Sequence, residues 1–234
     1  MKKNFRIIAI DADDTLWDCQ GHFERVMQQL YTELLPWTGT REEAARELFA
    51  TERKNMRLLG FGTKAFTLSM LETAMRVSHY EMPTTKISEI QQMCYGLNEF
   101  PCTPLPYVRE TLEALRERSQ LSTFKLVCFT KGELLDQEHK LERSGLGALF
   151  DDAIITSDKT QREFLRLCER YDIHPSELLM VGNSLKSDIA PALAIGAWGV
   201  YIPFHVTWEL EHTEHFEHER MVEISRFDEL LDIV

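Results

Sequence analysis

The feature that most constrains this chain lies near its start. Phe5-Arg6-Ile7-Ile8-Ala9-Ile10 is short, apolar and β-branched, and it runs without a turn into Asp11-Ala12-Asp13-Asp14-Thr15. The apolar run predicts a strand buried on both faces. Three carboxylates cannot follow it into a dry core, because an unpaired buried charge is very costly. The acidic cluster therefore belongs at a strand end, facing solvent or a cation.

From about Gly21 to Phe100 the texture is helical. Phe23, Val26, Leu30 and Leu34 recur at helical spacing. Thr40-Arg41-Glu42-Glu43 is a capping-box pattern, opening a helix with Ala44, Leu48 and Phe49 on one side. Leu68, Leu71 and Met75 predict a third apolar stripe, and Ile87, Ile90, Cys94 and Leu97 a fourth. Gly60-Phe61-Gly62 and Met82-Pro83 punctuate them. Four short helices without a strand between them predict a small helical bundle.

After Pro101-Cys102-Thr103-Pro104-Leu105-Pro106 the pattern alternates. Strands are expected at Phe124 to Phe129, Ala153 to Thr156, Leu178 to Val181 and Val200 to Ile202. Helices are expected around Val108, Leu112 and Leu115, from Glu133 to Gly145, along Phe164, Leu165, Cys168 and Tyr171, and around Pro191 up to Gly196. Strand-helix alternation of this kind predicts an α/β fold with a mostly parallel sheet covered on both faces.

In such sheets, ligands bind beyond the carboxyl ends of the strands. Four expected strands end in residues able to do chemistry: Asp11 and Asp13; Thr130; Ser157-Asp158-Lys159; and Gly182-Asn183-Ser184, with Asp188 five residues past Asn183. Each also has a purely structural reading. Asp11 and Asp13 read as turn carboxylates, Thr130 as a helix N-cap, Lys159 as a solvated lysine with Lys131 and Lys186 as competitors, and Asp188 as a first-turn helix carboxylate.

Taken together, these segments resemble the four motifs of the haloacid dehalogenase superfamily, in order. They read Ile7 to Thr15, then Cys128-Phe129-Thr130, then Lys159, then Val181-Gly182-Asn183-Ser184-Leu185-Lys186-Ser187-Asp188. The resemblance implies a Rossmann-like doubly wound parallel sheet core, residues 1–17 and 104–234, with an inserted all-helical C1 cap at 18–103. It also implies a magnesium-dependent phosphatase acting on a small-molecule phosphomonoester. Asp11 would be the nucleophile and form an aspartyl-phosphate. Asp13 would be the general acid and base. Thr130 and Lys159 would hold the phosphoryl oxygens. Asp11, the Asp13 backbone carbonyl, Asn183 and Asp188 would hold Mg2+. The cap would close over the core, with its loop Gly60-Phe61-Gly62-Thr63-Lys64 selecting the substrate. Lys64, Arg53 and Arg57 would meet an anionic group of that substrate, unless they simply face solvent.

The chain departs from the family pattern at several positions. Motif IV begins Gly182-Asn183 where Gly-Asp is usual, so the site has one negative charge fewer. Lys131-Gly132 follows motif II where Asn-Gly is frequent. Position 14 is Asp where Gly is frequent. Asp13 favours phosphate esters over carbon–halogen or phosphonate chemistry. A dehalogenase, a phosphomutase and a catalytically weak binding module remain as alternatives.

The formal net charge of -12 disfavours nucleic acid and anionic membrane as partners. Five cysteines with no CxxC spacing and no secretory h-region suggest reduced thiols in the cytoplasm. His205, His212, His215 and His218 raise a zinc reading. The interleaved Glu209, Glu211, Glu214 and Glu217 favour a solvated polar helix or loop instead.

Overall fold

The computed structural model describes residues 4–234. The chain divides into two compact units. The first runs to Cys19 and resumes from Cys102 to Val234; the second is Gln20–Pro101.

The first unit is built on a six-stranded sheet: β1 (Ile7–Ile10), β2 (Lys125–Lys131), β3 (Asp152–Thr156), β4 (Leu178–Gly182), β5 (Trp198–Tyr201) and β6 (Met221–Glu223). The spatial order is β3-β2-β1-β4-β5-β6, and every pair is parallel. The helices, in chain order, are α1 (Gln20–Thr38), α2 (Arg41–Leu59), α3 (Thr63–Val77), α4 (Thr84–Gly96), α5 (Val108–Leu121), α6 (Leu134–Ser144), α7 (Gln161–Tyr171) and α8 (Ala190–Ala194). α1 to α4 form the second unit and α5 to α8 belong to the sheet unit.

The strands are apolar on both faces because helices cover both. Ile8, Ala9, Ile10, Leu126, Val127, Met180 and Val181 are all fully sealed. Ile7, Ala9, Val127, Phe129, Phe164, Leu167, Leu178 and Met180 form one continuous apolar cluster. Each such aliphatic side chain contributes about 1.5–3 kcal/mol on burial. The chain runs from β1 outward to β2 and β3, then returns to β4 on the other side of β1. The connection therefore reverses between β1 and β4, where an open α/β sheet leaves a crevice at its carboxyl edge.

β6 was not among the expected strands. It is three residues long at the sheet edge, half-buried, and pairs only with β5, so it carries no alternating apolar pattern. β2 extends two residues beyond the expected run and takes in Thr130 and Lys131.

In the helical unit, Leu30, Leu34, Ala44, Leu48, Ile90, Cys94 and Leu97 form the core, as their spacing predicts. The stripe expected in α3 is corrected. Leu68 and Met75 are exposed, and α3 turns Phe66, Met70 and Ala74 inward, with Leu71 packed beside them. The inward residues recur every four positions and include a small alanine, so ranking side chains by hydrophobicity alone selects the wrong face. Leu165 on α7 is likewise exposed, and Leu167 is buried in its place. Thr63 and Lys64 open α3 rather than lying in the Gly60–Gly62 connection.

Among the described residues, no helix is long and apolar enough to cross a membrane. All five cysteines are free thiols and buried.

Candidate active site

Strand register assembles the site. Ile10 pairs with Cys128 on β2 and with Val181 on β4. Asp11 thus emerges at the crevice between β1 and β4, flanked by the strand ends that carry Thr130 and Asn183. Lys159 reaches in from the connection between β3 and α7. Asp188 comes from a single turn of π-helix, Leu185–Ile189, that leads into α8.

Asp11, Lys159 and Asp188 form a buried charge cluster. They are 6%, 3% and 1% exposed. Lys159 Nζ donates to Asp11 Oδ1 and, at 2.7 Å, to Asp188 Oδ1. Burial and the nearby Asp188 charge push the Asp11 carboxyl up to about 7, and Lys159 only partly offsets them. Burial pulls the Lys159 ammonium down, but the two carboxylates outweigh it and hold the lysine charged. Lys159 is therefore not a solvated surface lysine.

Asp188 is fixed from two sides. Oδ1 takes the lysine, and Oδ2 accepts the Ser184 backbone N–H at 2.9 Å. It packs on Gly182 so closely that a Cβ there would lie 2.3 Å from Oδ2. Glycine at this strand end is what lets the carboxylate in.

Thr15 closes the acidic motif and links two strand ends. Its Oγ1 lies 3.0 Å from Asp11 Oδ2 and 3.2 Å from Asn183 Oδ1, and it accepts the Asn183 backbone N–H at 3.1 Å. A hydroxyl has one proton. It satisfies one of these two oxygens at a time and leaves the other with spare acceptor capacity. Asp11, Asn183, Asp188 and the Asp13 backbone carbonyl supply only oxygen donors, the set a hard divalent cation takes. These residues fit magnesium.

The Asp13 carboxylate is held by three donors. Trp17 Nε1 donates to Oδ1 at 2.8 Å; Gln137 Nε2 and Lys140 Nζ donate to Oδ2 at 2.8 Å and 3.0 Å. Burial would raise its pKa, but the Lys140 charge and these hydrogen bonds outweigh burial and lower it. Lys140 is also 3.0 Å from Asp136 and only 2% exposed. Gln137 and Lys140 lie on α6, outside the four motifs.

Asp14 has φ 63, the left-handed region that glycine adopts without strain. Its Oδ1 accepts the Cys19 backbone N–H at 2.8 Å, which offsets the strain and accounts for an aspartate at this position.

Thr130 does not cap a helix. It is an interior residue of β2, 3% exposed, in register with Ile155. Arg53 and Arg57 are exposed on α2, and Lys64 is exposed in the first turn of α3, all in the helical unit.

The His-rich segment departs from its expected character at one residue. It is irregular apart from a short turn at Glu209–Glu211, and His212, His215 and His218 are exposed. Among the described residues, no three His, Cys, Asp or Glu side chains are placed to hold a metal ion. Glu211, however, is drawn inward. Its Oε1 accepts from Lys131 Nζ at 2.5 Å, and its Oε2 from Ser184 Oγ at 2.7 Å and Ser187 Oγ at 2.6 Å. One carboxylate thus ties the ends of β2 and β4 beside Thr130, Asn183 and Asp188. It also engages Lys131, the lysine that competed with Lys159 in the sequence.

A ribulose-1,5-bisphosphate 5-phosphatase from Halopiger xanaduensis is 32% identical over 139 residues, 56% of this chain and 56% of that protein. The chain thus spans little more than half the length of that curated relative. An N-acylneuraminate-9-phosphatase from Mus musculus is 24% identical over 209 residues, 82% of this chain and 79% of the relative. The crystal structure of a haloacid dehalogenase-like family hydrolase from Xanthomonas campestris superposes with a TM-score of 0.83 at 29% identity, covering 95% of this chain and 87% of that one. The model of the haloacid dehalogenase-like hydrolases matches residues 5–196, most of the chain and a span that contains all four motif segments, and the protein belongs to that family.

Proposed function

We propose that this protein is a magnesium-dependent phosphatase that hydrolyses a small-molecule phosphomonoester through an aspartyl-phosphate on Asp11. The observation that carries the reading is the cluster at the switch point. A buried carboxylate sits at a strand end, a buried lysine bridges it and its neighbour Asp188, and a third carboxylate, Asp13, stands two residues after the first. Two curated relatives are named as phosphatases, which supports phosphate ester chemistry over its alternatives.

The ionised Asp11 carboxylate attacks phosphorus in line, the ester P–O bond breaks, and an acyl phosphate forms on Asp11. Asp13 enters this step protonated, although the resting structure favours its carboxylate, and gives that proton to the departing alkoxide oxygen. Asp13, now a carboxylate, then takes a proton from water as that water attacks the same phosphorus, which frees inorganic phosphate and restores Asp11. Lys159 and the Thr130 hydroxyl offset charge on the equatorial oxygens. Asp11, the Asp13 carbonyl, Asn183 and Asp188 would hold magnesium, which neutralises phosphoryl charge when bound. With Asn183 in place of a carboxylate, that ion binds less tightly than at an all-carboxylate site. The helical segment serves as the family's cap, and Arg53, Arg57 and Lys64 are its candidates for contacting an anionic group of the substrate.

The test is phosphate release from p-nitrophenyl phosphate with and without magnesium, beside Asp11→Asn. The reading expects magnesium-dependent release that disappears in the variant.

A further inference from the structure

We infer that Gln137 and Lys140 on α6 are positioning residues for the acid–base step, fixing the Asp13 carboxylate in the orientation from which it protonates the leaving oxygen. This rests on the reading of Asp13 as the general acid.

Three observations support the inference. First, α6 is turned the opposite way from an ordinary surface helix. Its buried residues are Asp136, Gln137, Lys140 and Ser144, while Leu134 and Leu135 are 60% and 51% exposed. A helix that buries its polar side and leaves leucines in water gives up hydrophobic stabilisation. Two of those four side chains, Gln137 and Lys140, reach Asp13.

Second, Gln137 places its amide nitrogen on Asp13 Oδ2 at 2.8 Å and leaves its own buried Oε1 without a partner. An unpaired buried carbonyl oxygen is destabilising. Turning the amide over would set oxygen against the carboxylate, so Asp13 dictates which way the side chain faces.

Third, Lys140 is sealed between Asp13 and Asp136, 3.0 Å from each. With Trp17 Nε1 on Oδ1, the donors engage both Asp13 oxygens, so the carboxylate cannot swing about its side-chain torsions without losing a bond. None of these donors lies in the phosphoryl-holding set. Geometry of this kind matters to proton transfer, since an error of about 1 Å in a reacting group can cost about 100-fold in rate.

A proton donor to the leaving group matters little when that group is acidic and much when it is basic. The readout is therefore kcat/KM for p-nitrophenyl phosphate against phenyl phosphate, which reports the first phosphoryl transfer. Gln137→Met keeps length and removes both the donor and the orphan oxygen; Lys140→Met removes the charge. Each should lose at least about tenfold more on phenyl phosphate than on p-nitrophenyl phosphate, within the range of general acid catalysis. A mere loss of fold or of nucleophile geometry would lower both substrates alike. Asp13→Asn, run in parallel, separates the two failures. If it also loses both substrates equally, the assignment of Asp13 as acid is wrong. If Asp13→Asn is selective and the two α6 variants are not, the positioning inference is overturned. An increase on phenyl phosphate in Lys140→Met would likewise overturn it, because that is the sign expected if the lysine acted only by holding Asp13 ionised. Should Lys140→Met fail to fold, Gln137→Met alone decides, since it leaves the ion pairs intact.

Discussion

Lys159 Nζ donates to Asp188 Oδ1 at 2.7 Å, and both side chains are sealed from solvent. The same ammonium serves Asp11, so one positive charge holds two carboxylates in the interior. Removing it strands both. Lys159→Met should abolish phosphate release and destabilise the protein by about 3–5 kcal/mol, the usual cost of breaking a buried pair from one side. Thermal unfolding of the purified variant measures the second effect.

Gly182 is the floor on which Asp188 rests. In Gly182→Ala the new Cβ would meet Oδ2 at 2.3 Å and Cγ at 2.5 Å, and Asp188 cannot move without breaking its bonds to Lys159 and the Ser184 N–H. Overpacking of this kind costs about 1–3 kcal/mol. The variant should retain its circular dichroism spectrum, melt lower and lose most phosphate release.

Much of the fold was legible in the sequence because a two-face-buried parallel strand has a plain signature. Ile7 to Ile10, Leu126 to Phe129 and Leu178 to Val181 are unbroken apolar runs. The chemistry of the strand ends followed from the cost of burying what comes next, above all at Asp11. The rest was hidden for reasons that can be named. β6 is a three-residue edge strand with one neighbour, too short to show a pattern. α6 buries Gln137 and Lys140, so a reading that turns apolar residues inward orients it backwards. In α3 the inward Ala74 is less apolar than the outward Leu68. Glu211 sits in a stretch dense with exposed His and Glu, and only the fold shows that it meets Lys131, eighty residues earlier in sequence.

Glu211 gives an acid-dependent prediction. Burial would raise its pKa, but Lys131 and the two serine hydroxyls outweigh burial and lower it from 4.5. A lowered carboxyl pKa contributes stability that is present above 4.5 and fades as pH falls toward the folded-state value. Glu211→Ala should therefore lower the melting temperature at pH 7, by an amount corresponding to about 1–3 kcal/mol for the stranded donors. The wild-type and variant melting curves should converge under strong acid. A constant difference at all pH values would contradict the clasp.

Asp11 has the opposite sign. Its folded-state pKa of about 7 lies above the ordinary 3.8, so the metal-free protein loses stability as pH rises between those values and levels off above the higher one. Asp11→Asn removes that penalty. The metal-free variant should gain melting temperature over wild type as pH rises from 4 to 8, by roughly 2–4 °C per kcal/mol for a chain of this size.

Magnesium should reverse that order. Ligand that binds only the folded state stabilises it in proportion to the logarithm of its excess over Kd. Titration with magnesium chloride should raise the wild-type melting temperature, and raise that of Asp11→Asn far less. Equal shifts in both would mean the ion binds elsewhere.

The central claim is that Asp11 is the nucleophile, and the acyl phosphate it forms can be seen directly. Wild type and Asp11→Asn would be mixed with p-nitrophenyl phosphate and magnesium, quenched in acid, digested and analysed by mass spectrometry for a phosphorylated peptide. The account predicts phosphate on the peptide containing Asp11, labile to base, in wild type and none in the variant. Turnover without any phosphorylated peptide, or phosphate on another residue, would contradict it.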